Sequence, residues 1–571
     1  MTKPLRVWAP HAHTLTARTP DGDLPMERLD GGWWSTTSPY LGSYAYVLDG
    51  DVLPDPRSPW QPEGVRGWSH TVVHESFPWT DEGWCAPPLR SCTLYELHVG
   101  TFTADGTLDA AIERLPHLRD LGIDAVELMP VAEFPGRRGW GYDGVLLFAP
   151  HHAYGGPDGL KRFVDAAHAH GLAVVLDVVY NHLGPSGNHL ARFGPYFTDR
   201  HSTPWGQAVN LDDAGSDETR RFFCDNALQW LRDYHVDGLR LDAVHALYDQ
   251  SALTFLEQLA IEVDQLERAT GRQLWLIAES DLNDPRLVRS RDAHGYGLDA
   301  AWSDDFHHAL HSLLTGERDS YYEDFGDIAL VAQALEHTFV ADGRFSRHRQ
   351  RRHGRAADVP QDRFVCFLQN HDQIGNRAAG ERLTALIDVD ARRAASTLLL
   401  LGPFVPLLFQ GEEWDATTPF LYFTDHDDPE LADAVREGRR AEFAAFDWDP
   451  EVVPDPQDPP THARSVLDWT ETERSPHAEA LDWHRALLTL RRRMLRSLVG
   501  RDDRVRVTVH DGRAIVMCRG GWVVAVNVSS QRVDAHASHT GDVVLQRGHA
   551  QLADGCLELD AWSVLVLAPR E

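Results

Sequence analysis

Cysteine is scarce and unpatterned. The 571-residue chain has six, and Cys85, Cys92, Cys224, Cys366, Cys518 and Cys556 show neither CxxC nor zinc-finger spacing. That argues against a disulfide scaffold and predicts buried free thiols in a reducing, cytoplasmic setting, with only Cys85 and Cys92 near enough in sequence for a bridge. Long apolar runs are also missing. The most apolar segment, Leu398 to Phe409, is broken by Gly402, Pro403 and Pro406, and the stretch Met1 to Trp8 lacks the apolar region of a signal peptide, so no membrane partner is expected. No solenoid period or low-complexity tract is present, which sets repeat architectures aside. Basic charge is short as well: 54 Lys and Arg face 86 Asp and Glu, a formal net charge of -32. Such a balance disfavours nucleic acid and anionic lipid, and a neutral or cationic ligand is the simpler expectation.

What is present is ample core material: 43% hydrophobic and 25% charged residues, enough for two to four soluble domains. From Leu5 to about Trp79, short runs (Arg6 to Ala9, Trp33 to Ser35, Tyr44 to Leu48, Thr71 to Val73) alternate with Gly, Pro and Asp clusters, the pattern of an all-β sandwich of about seven strands. A Pro-rich link, Pro78 to Pro88, closes it. After Leu89, strand-length apolar runs alternate with amphipathic helical stretches. The predicted strands are Thr93 to Val99, Ala125 to Met129, Ala173 to Val179, Val236 to Asp242, Leu274 to Glu279, Leu298 to Trp302, Phe364 to Gln369 and Val405 to Gln410. Eight such units close a (β/α)8 TIM barrel. Predicted helices include Leu108 to Leu121, Ser251 to Ala269 and Val389 to Leu401. Two insertions, around Gly136 to Gly144 and from Ser346 to Pro360, are long enough to be functional loops. Asp425 to Pro460 reads as an irregular acidic region, and Val499 onward as a small antiparallel β domain. The fold class is thus multidomain α/β, with an immunoglobulin-like β-sandwich over 1–88, the barrel over 89–497 and the β domain over 498–571.

Ligands of such a barrel bind at the C-terminal ends of its strands. Five ends carry carboxylates or amide and imidazole groups: Asp177 to His182, Arg240 to Asp242, Glu279, Asp304 to His308, and Gln369 to Asp372. Each alone reads as a cap or turn residue; five on one rim point to chemistry. Carboxylates flanking one bond, without a metal or phosphate cradle, fit glycoside hydrolysis or transfer through an oxocarbenium-like transition state. Asp242, Glu279 and Asp372 fill the places. Arg240, on the same strand face as Asp242, is expected to keep it ionised, and partial burial after Leu274 to Ala278 is expected to raise Glu279 toward a working acid. His182 and His371 would donate to sugar hydroxyls. No HExxH or tight His triad occurs, so no metal or cofactor is expected.

In order, residue type and strand placement, Asp177 to His182, Gly238 to His245, Ala278 to Ser280 and Asn370 to Asp372 resemble the four signature regions of the α-amylase family of retaining glycosidases. The resemblance implies Asp242 as nucleophile, Glu279 as acid/base and Asp372 as transition-state stabiliser. It also implies Tyr142, His182, Arg240 and His371 around the sugar in subsite −1, with His245 binding substrate beside them. Leu94 to Phe102 and the N-terminal β region are similar to the branching, debranching and trehalose-forming subgroup. Gln373, where branching enzymes usually carry Glu, argues against branching. With Trp302 to His308, Phe345 to Arg349 and His353 Gly354, the likeness implies hydrolysis of the α-1,4 bond next to the terminal trehalose of maltooligosyl trehalose, a neutral α-glucan oligosaccharide. Asp304, Asp305, His307, His308, Gln373 and Asn376 are the implied recognition residues. Asn181 stands where many relatives bind calcium, an ion this subgroup does not generally need. Other activities of the family, or a carbohydrate-binding scaffold on an inactive barrel, are the competing readings; a scaffold would be expected to have lost at least one of the three carboxylates.

Overall fold

Eight apolar runs pair as parallel neighbours into a closed barrel in a computed structural model that describes residues 3–444, 453–500, 503–536, 541–553 and 556–570. In chain order the strands are Leu94–Leu97, Ala125–Leu128, Ala173–Val178, Gly238–Leu241, Trp275–Ala278, Ala300–Trp302, Phe364–Phe367 and Val405–Phe409. All of their residues are buried, since one face of each strand packs on helices and the other fills the barrel. The lower interior is apolar: Leu94, Ala125, Val175, Ile277, Val365 and Leu407 pack together over Ala86 of the Pro-rich link and Leu89 and Cys92 just after it. That link is clamped beneath the barrel, Asp81 accepting from His168 Nδ1 at 2.9 Å and His235 Nδ1 at 2.8 Å.

Helices cover the outside. Phe255–Thr270 starts later than the apolar period suggests, because Thr254 and Glu257 form a capping box and Asp249 takes the Ser251 and Phe255 N–H groups. The stretch from Leu108 to Leu121 is two helices, Leu108–Ile112 and Leu115–Leu121, with Pro116 in the first turn of the second. Two elements differ from expectation. A helix, Asp305–Thr315, follows the sixth strand, and another, Pro429–Ala444, occupies the acidic region read as irregular. Residues 445–452 of that region lie outside the described residues. Both insertions are built on hairpins, Ala132–Glu133 with Leu146–Pro150 and Asp342–Ser346 with Arg351–Gly354.

Seven antiparallel strands form the N-terminal sheet, although the run Thr71–Val73 is extended chain beside the short strand Ser69–His70. After the helix His477–Leu498, a five-stranded and a three-stranded antiparallel sheet end the chain. All six cysteines are free thiols, Cys85 and Cys92 included. Among the described residues no helix is long and apolar enough to cross a membrane.

Candidate active site

Arg240 is the centre of the site. Its strand position turns it into the barrel, where it is fully buried. Nη1 donates to Asp242 Oδ1 at 2.8 Å and to Asp177 Oδ1 at 3.1 Å, while Nη2 lies 3.2 Å from Glu279 Oε2. The guanidinium sits 4.4 Å from the centre of the Trp302 ring. Burial opposes its charge, but the carboxylates of Asp177, Glu279 and Asp242 outweigh it and hold the cation well above its ordinary pKa. Burial likewise pushes Asp177 up, to about 7, against the pull of Arg240.

Backbone pairing places the two carboxylates. Asp242 N–H donates to Val178 O at 3.1 Å and Glu279 N–H to Leu241 O at 2.9 Å, so both continue the barrel ladder by one residue. Ala243 then takes φ +40°, in the left-handed region that costs a non-glycine residue about 1 kcal/mol or more. The bend aims its N–H at Glu279 Oε2, 2.6 Å away.

The third carboxylate stands on the short helix His371–Gly375, whose N-cap Asn370 accepts the N–H groups of Asp372 and Gln373 at 2.9 and 3.2 Å. His371 is buried between Glu96, 2.5 Å from Nδ1, and the Tyr142 hydroxyl, 2.8 Å from Nε2. Tyr142 in turn donates to Asp177 Oδ2 at 2.7 Å. Burial disfavours the imidazolium, yet Asp372 and Glu96 overcome that and raise His371 to about 10, so it is a cation at neutral pH.

Two cavities meet at these groups, and Glu279, Asp372 and Asn376 line both. The larger, about 820 Å³, is walled by Tyr142, His182, Asp242, His245 and His371, with Trp205 stacked on His182 at 4.7 Å. Burial lowers His182 below its ordinary pKa, leaving it neutral. The smaller, about 470 Å³, is walled by Asp304, Asp305, His308 and Gln373 together with Phe345 and Arg349 of the inserted hairpin. Asp304, raised to about 8 by burial and by the Glu279 and Asp372 carboxylates, accepts from Gln373 Nε2 at 3.1 Å.

His307, expected beside them, lines neither cavity: its nitrogens are taken by Leu368 O at 2.5 Å and the Tyr322 hydroxyl at 2.8 Å. Asp305 spends Oδ2 on Asn283 Nδ2 and on the N–H groups of Val340 and Ala341, at 2.9, 2.6 and 2.9 Å, tying the hairpin base. Residue-by-residue reading placed Asp177 and Trp302 at the rim without giving either a role, and passed over Glu96 and Trp205 as site residues. It also passed over Glu127, which neighbours Glu96 in register, is 1% exposed and has no hydrogen-bond partner on either oxygen. Burial and Glu96 raise it well above the usual carboxylate range. Acids inside otherwise apolar strands were the available signal for Glu96 and Glu127.

Among the described residues one cluster has metal-ligand spacing, Glu133, His151 and His152. His151 Nδ1 accepts the Ala153 N–H at 3.1 Å, so the neutral ring carries its proton on Nε2, the nitrogen 3.7 Å from Glu133. Within the set the hydrogen bonds run from His152 to Glu133, Nδ1 at 2.8 Å and the backbone N–H at 2.8 Å, while His151 Nε2 is buried without a partner. Asn181 is buried without a polar partner and belongs to no such cluster.

Residues 73–195 match the family described as "Alpha amylase, catalytic domain". A solved Salmonella typhimurium structure assigned to the alpha amylases superposes with a TM-score of 0.91 at 38% identity, covering 99% of this chain and 97% of that one. An apo pullulanase from Paenibacillus barengoltzii shares the fold at a TM-score of 0.72 and 19% identity, covering 99% and 93%. Barrel and carboxylates together define a glycoside hydrolase of the α-amylase type. Malto-oligosyltrehalose trehalohydrolase of Arthrobacter ramosus is 50% identical over 98% of both chains, and that of Saccharolobus solfataricus 40% over 97% of this chain and 96% of its own. The chain belongs to the malto-oligosyltrehalose trehalohydrolase family.

Proposed function

We propose that the protein hydrolyses the α-1,4-glucosidic bond next to the terminal α,α-trehalose unit of maltooligosyl trehalose and releases trehalose by a retaining double displacement. The observation that carries this reading is the common wall: a chain passing from one cavity to the other presents a single bond to Asp242, Glu279 and Asp372. The malto-oligosaccharide lies in the larger cavity and the trehalose in the smaller, whose volume of about 470 Å³ is within the range of small-ligand sites.

Asp242 attacks the anomeric carbon while Glu279 gives its proton to the departing glycosidic oxygen, and trehalose leaves. Glu279, now ionised, takes a proton from water as that water opens the glycosyl ester. Both carboxylates touch neighbouring nitrogens of one guanidinium, which favours the spacing of about 5 Å of retaining pairs over the wide gap that inversion needs. Asp372 supplies negative charge beside the oxocarbenium-like centre. The Tyr142 hydroxyl and His182 hydrogen-bond the sugar on the Asp242 side, with His245 beside them, and the cationic His371 reaches it by exchanging its Nε2–H bond to Tyr142 for a sugar hydroxyl; Asp304, Asp305, His308, Gln373 and Asn376 serve the trehalose side. Free thiols throughout are in keeping with a cytoplasmic location.

The test offers the purified protein maltooligosyl trehalose and a plain maltooligosaccharide of equal length and measures kcat/KM for each. A preference for the first, with trehalose as product, is expected. Equal values would return the reading to a general α-amylase.

A further inference from the structure

The inserted helix Pro429–Ala444 has no buried residue over 429–441, so apolar packing is not its purpose. Val435, Gly438 and Arg439 instead line the larger cavity. Arg439 lies with its guanidinium 4.8 Å from the Tyr422 ring centre. Nη2 donates to Gly375 O at 2.9 Å, the last carbonyl of the short helix that bears Asp372. Nη1 donates to Asn376 Oδ1 at 3.3 Å, and Asn376 Nδ2 donates to Asp372 Oδ1, also at 3.3 Å.

This chain of contacts decides which end of the amide faces the carboxylate. A carboxamide is nearly symmetric in shape, and its two orientations differ only by the partners they find. Here the guanidinium has donors only, so it takes the oxygen and leaves the NH₂ for Asp372. A flipped Asn376 would set NH₂ against guanidinium and oxygen against carboxylate, both repulsive.

We propose that Arg439 is a positioning residue for Asp372, acting through Asn376, and that the acidic insertion delivers it to the site from the outside of the barrel. The proposal rests on the role given to Asp372 above.

A double-mutant cycle tests it. kcat for trehalose release is measured for wild type, R439Q, N376A and R439Q/N376A, with thermal unfolding as the check on folding. Each single change is expected to lower kcat about tenfold to a hundredfold, the cost of a small misplacement at the reacting centre, with KM moving less. The double variant should fall no more than about twofold below N376A, because the second change removes a link already cut. R439K, which keeps one donor but loses the planar fork, should stay closer to R439Q than to wild type. If R439Q loses its folding transition, R439K carries the same cycle. Losses that multiply in the double variant, or a wild-type kcat in R439Q, overturn the proposal. If wild type cleaves only the plain maltooligosaccharide, the functional reading fails, and the cycle is scored on that hydrolysis with the same non-additivity expected.

Discussion

Replacing Glu96 with Gln keeps the shape of the side chain beneath His371 and removes its charge. Glu96 accepts both His371 Nδ1–H, at 2.5 Å, and the His371 backbone N–H, at 3.2 Å. Gln satisfies one of the two and leaves the other facing its own NH₂, an unpaired buried donor that costs about 1–3 kcal/mol at every pH. The second effect depends on pH. A hydrogen bond to a charged group contributes about 1.5–3 kcal/mol and a neutral one about 0.5–1.5, so the swap removes roughly 1.4 kcal/mol of preference for the imidazolium, about one pKa unit. His371, held at about 10 in the folded protein against 6.5 ordinarily, then falls by that unit. Because its folded value is raised, the stabilisation is complete below 6.5 and is lost as pH climbs through 10. Linkage therefore makes the variant weaker by roughly 1.4 kcal/mol at neutral pH but by only about 0.4 kcal/mol near pH 10. Equilibrium urea unfolding of both proteins, followed by tryptophan fluorescence at several pH values from neutral to alkaline, reads the gap. It should narrow by about 1 kcal/mol across that range. A gap that is constant, or that widens with pH, would refute the claim that Glu96 acts through the charge on His371.

Two further outcomes follow from the site. Asp242→Asn should keep the thermal transition of wild type and lose at least about 10⁴-fold in kcat, since the nucleophile is gone while the volume stays; a folded variant with substantial turnover would move the nucleophile elsewhere. Gly375→Ala should cut kcat tenfold or more and lower the melting temperature: a Cβ there would stand 2.0 Å from the Trp140 ring, which packs edge-on against His371 at 5.6 Å. Wild-type kinetics in that variant would mean that Trp140 moves aside freely.

The barrel was legible because each of its strands is buried on both faces and so reads as a largely apolar run, broken in four of them by Glu96, Glu127, Asp177 or Arg240. The carboxylates were legible for the same reason, since Asp242 and Glu279 stand where those runs stop. His307 and His308 show the limit. They are consecutive on a helix, where neighbours point about 100° apart, so one enters the cavity wall and the other turns toward Leu368 and Tyr322; without the helix's rotation, the two are equivalent. The helix Pro429–Ala444 does not stand out in the sequence because its few apolar positions, such as Leu431 and Val435, are scattered among Asp, Glu and Arg and none over 429–441 is buried. It lines the larger cavity with Val435, Gly438 and Arg439, and nothing in the sequence sets Arg439 apart from Arg436 and Arg440 beside it. The late start of Phe255–Thr270 was decided by Asp249, six residues before its first turn, which takes backbone donors that a helix beginning at Ser251 would have used.

Arg240 holds Asp242 by one nitrogen and Glu279 by the other, and with the roles proposed here this has a consequence for the whole reaction cycle. In the resting enzyme the nucleophile is the anion and the acid is neutral. In the glycosyl-enzyme the ester has neutralised Asp242, and Glu279, its proton spent, is the anion. The negative charge has moved from one end of the same cation to the other. Of these two carboxylates, one is the anion before and after the first step, while Asp177, the third carboxylate on the guanidinium, takes no part in the exchange.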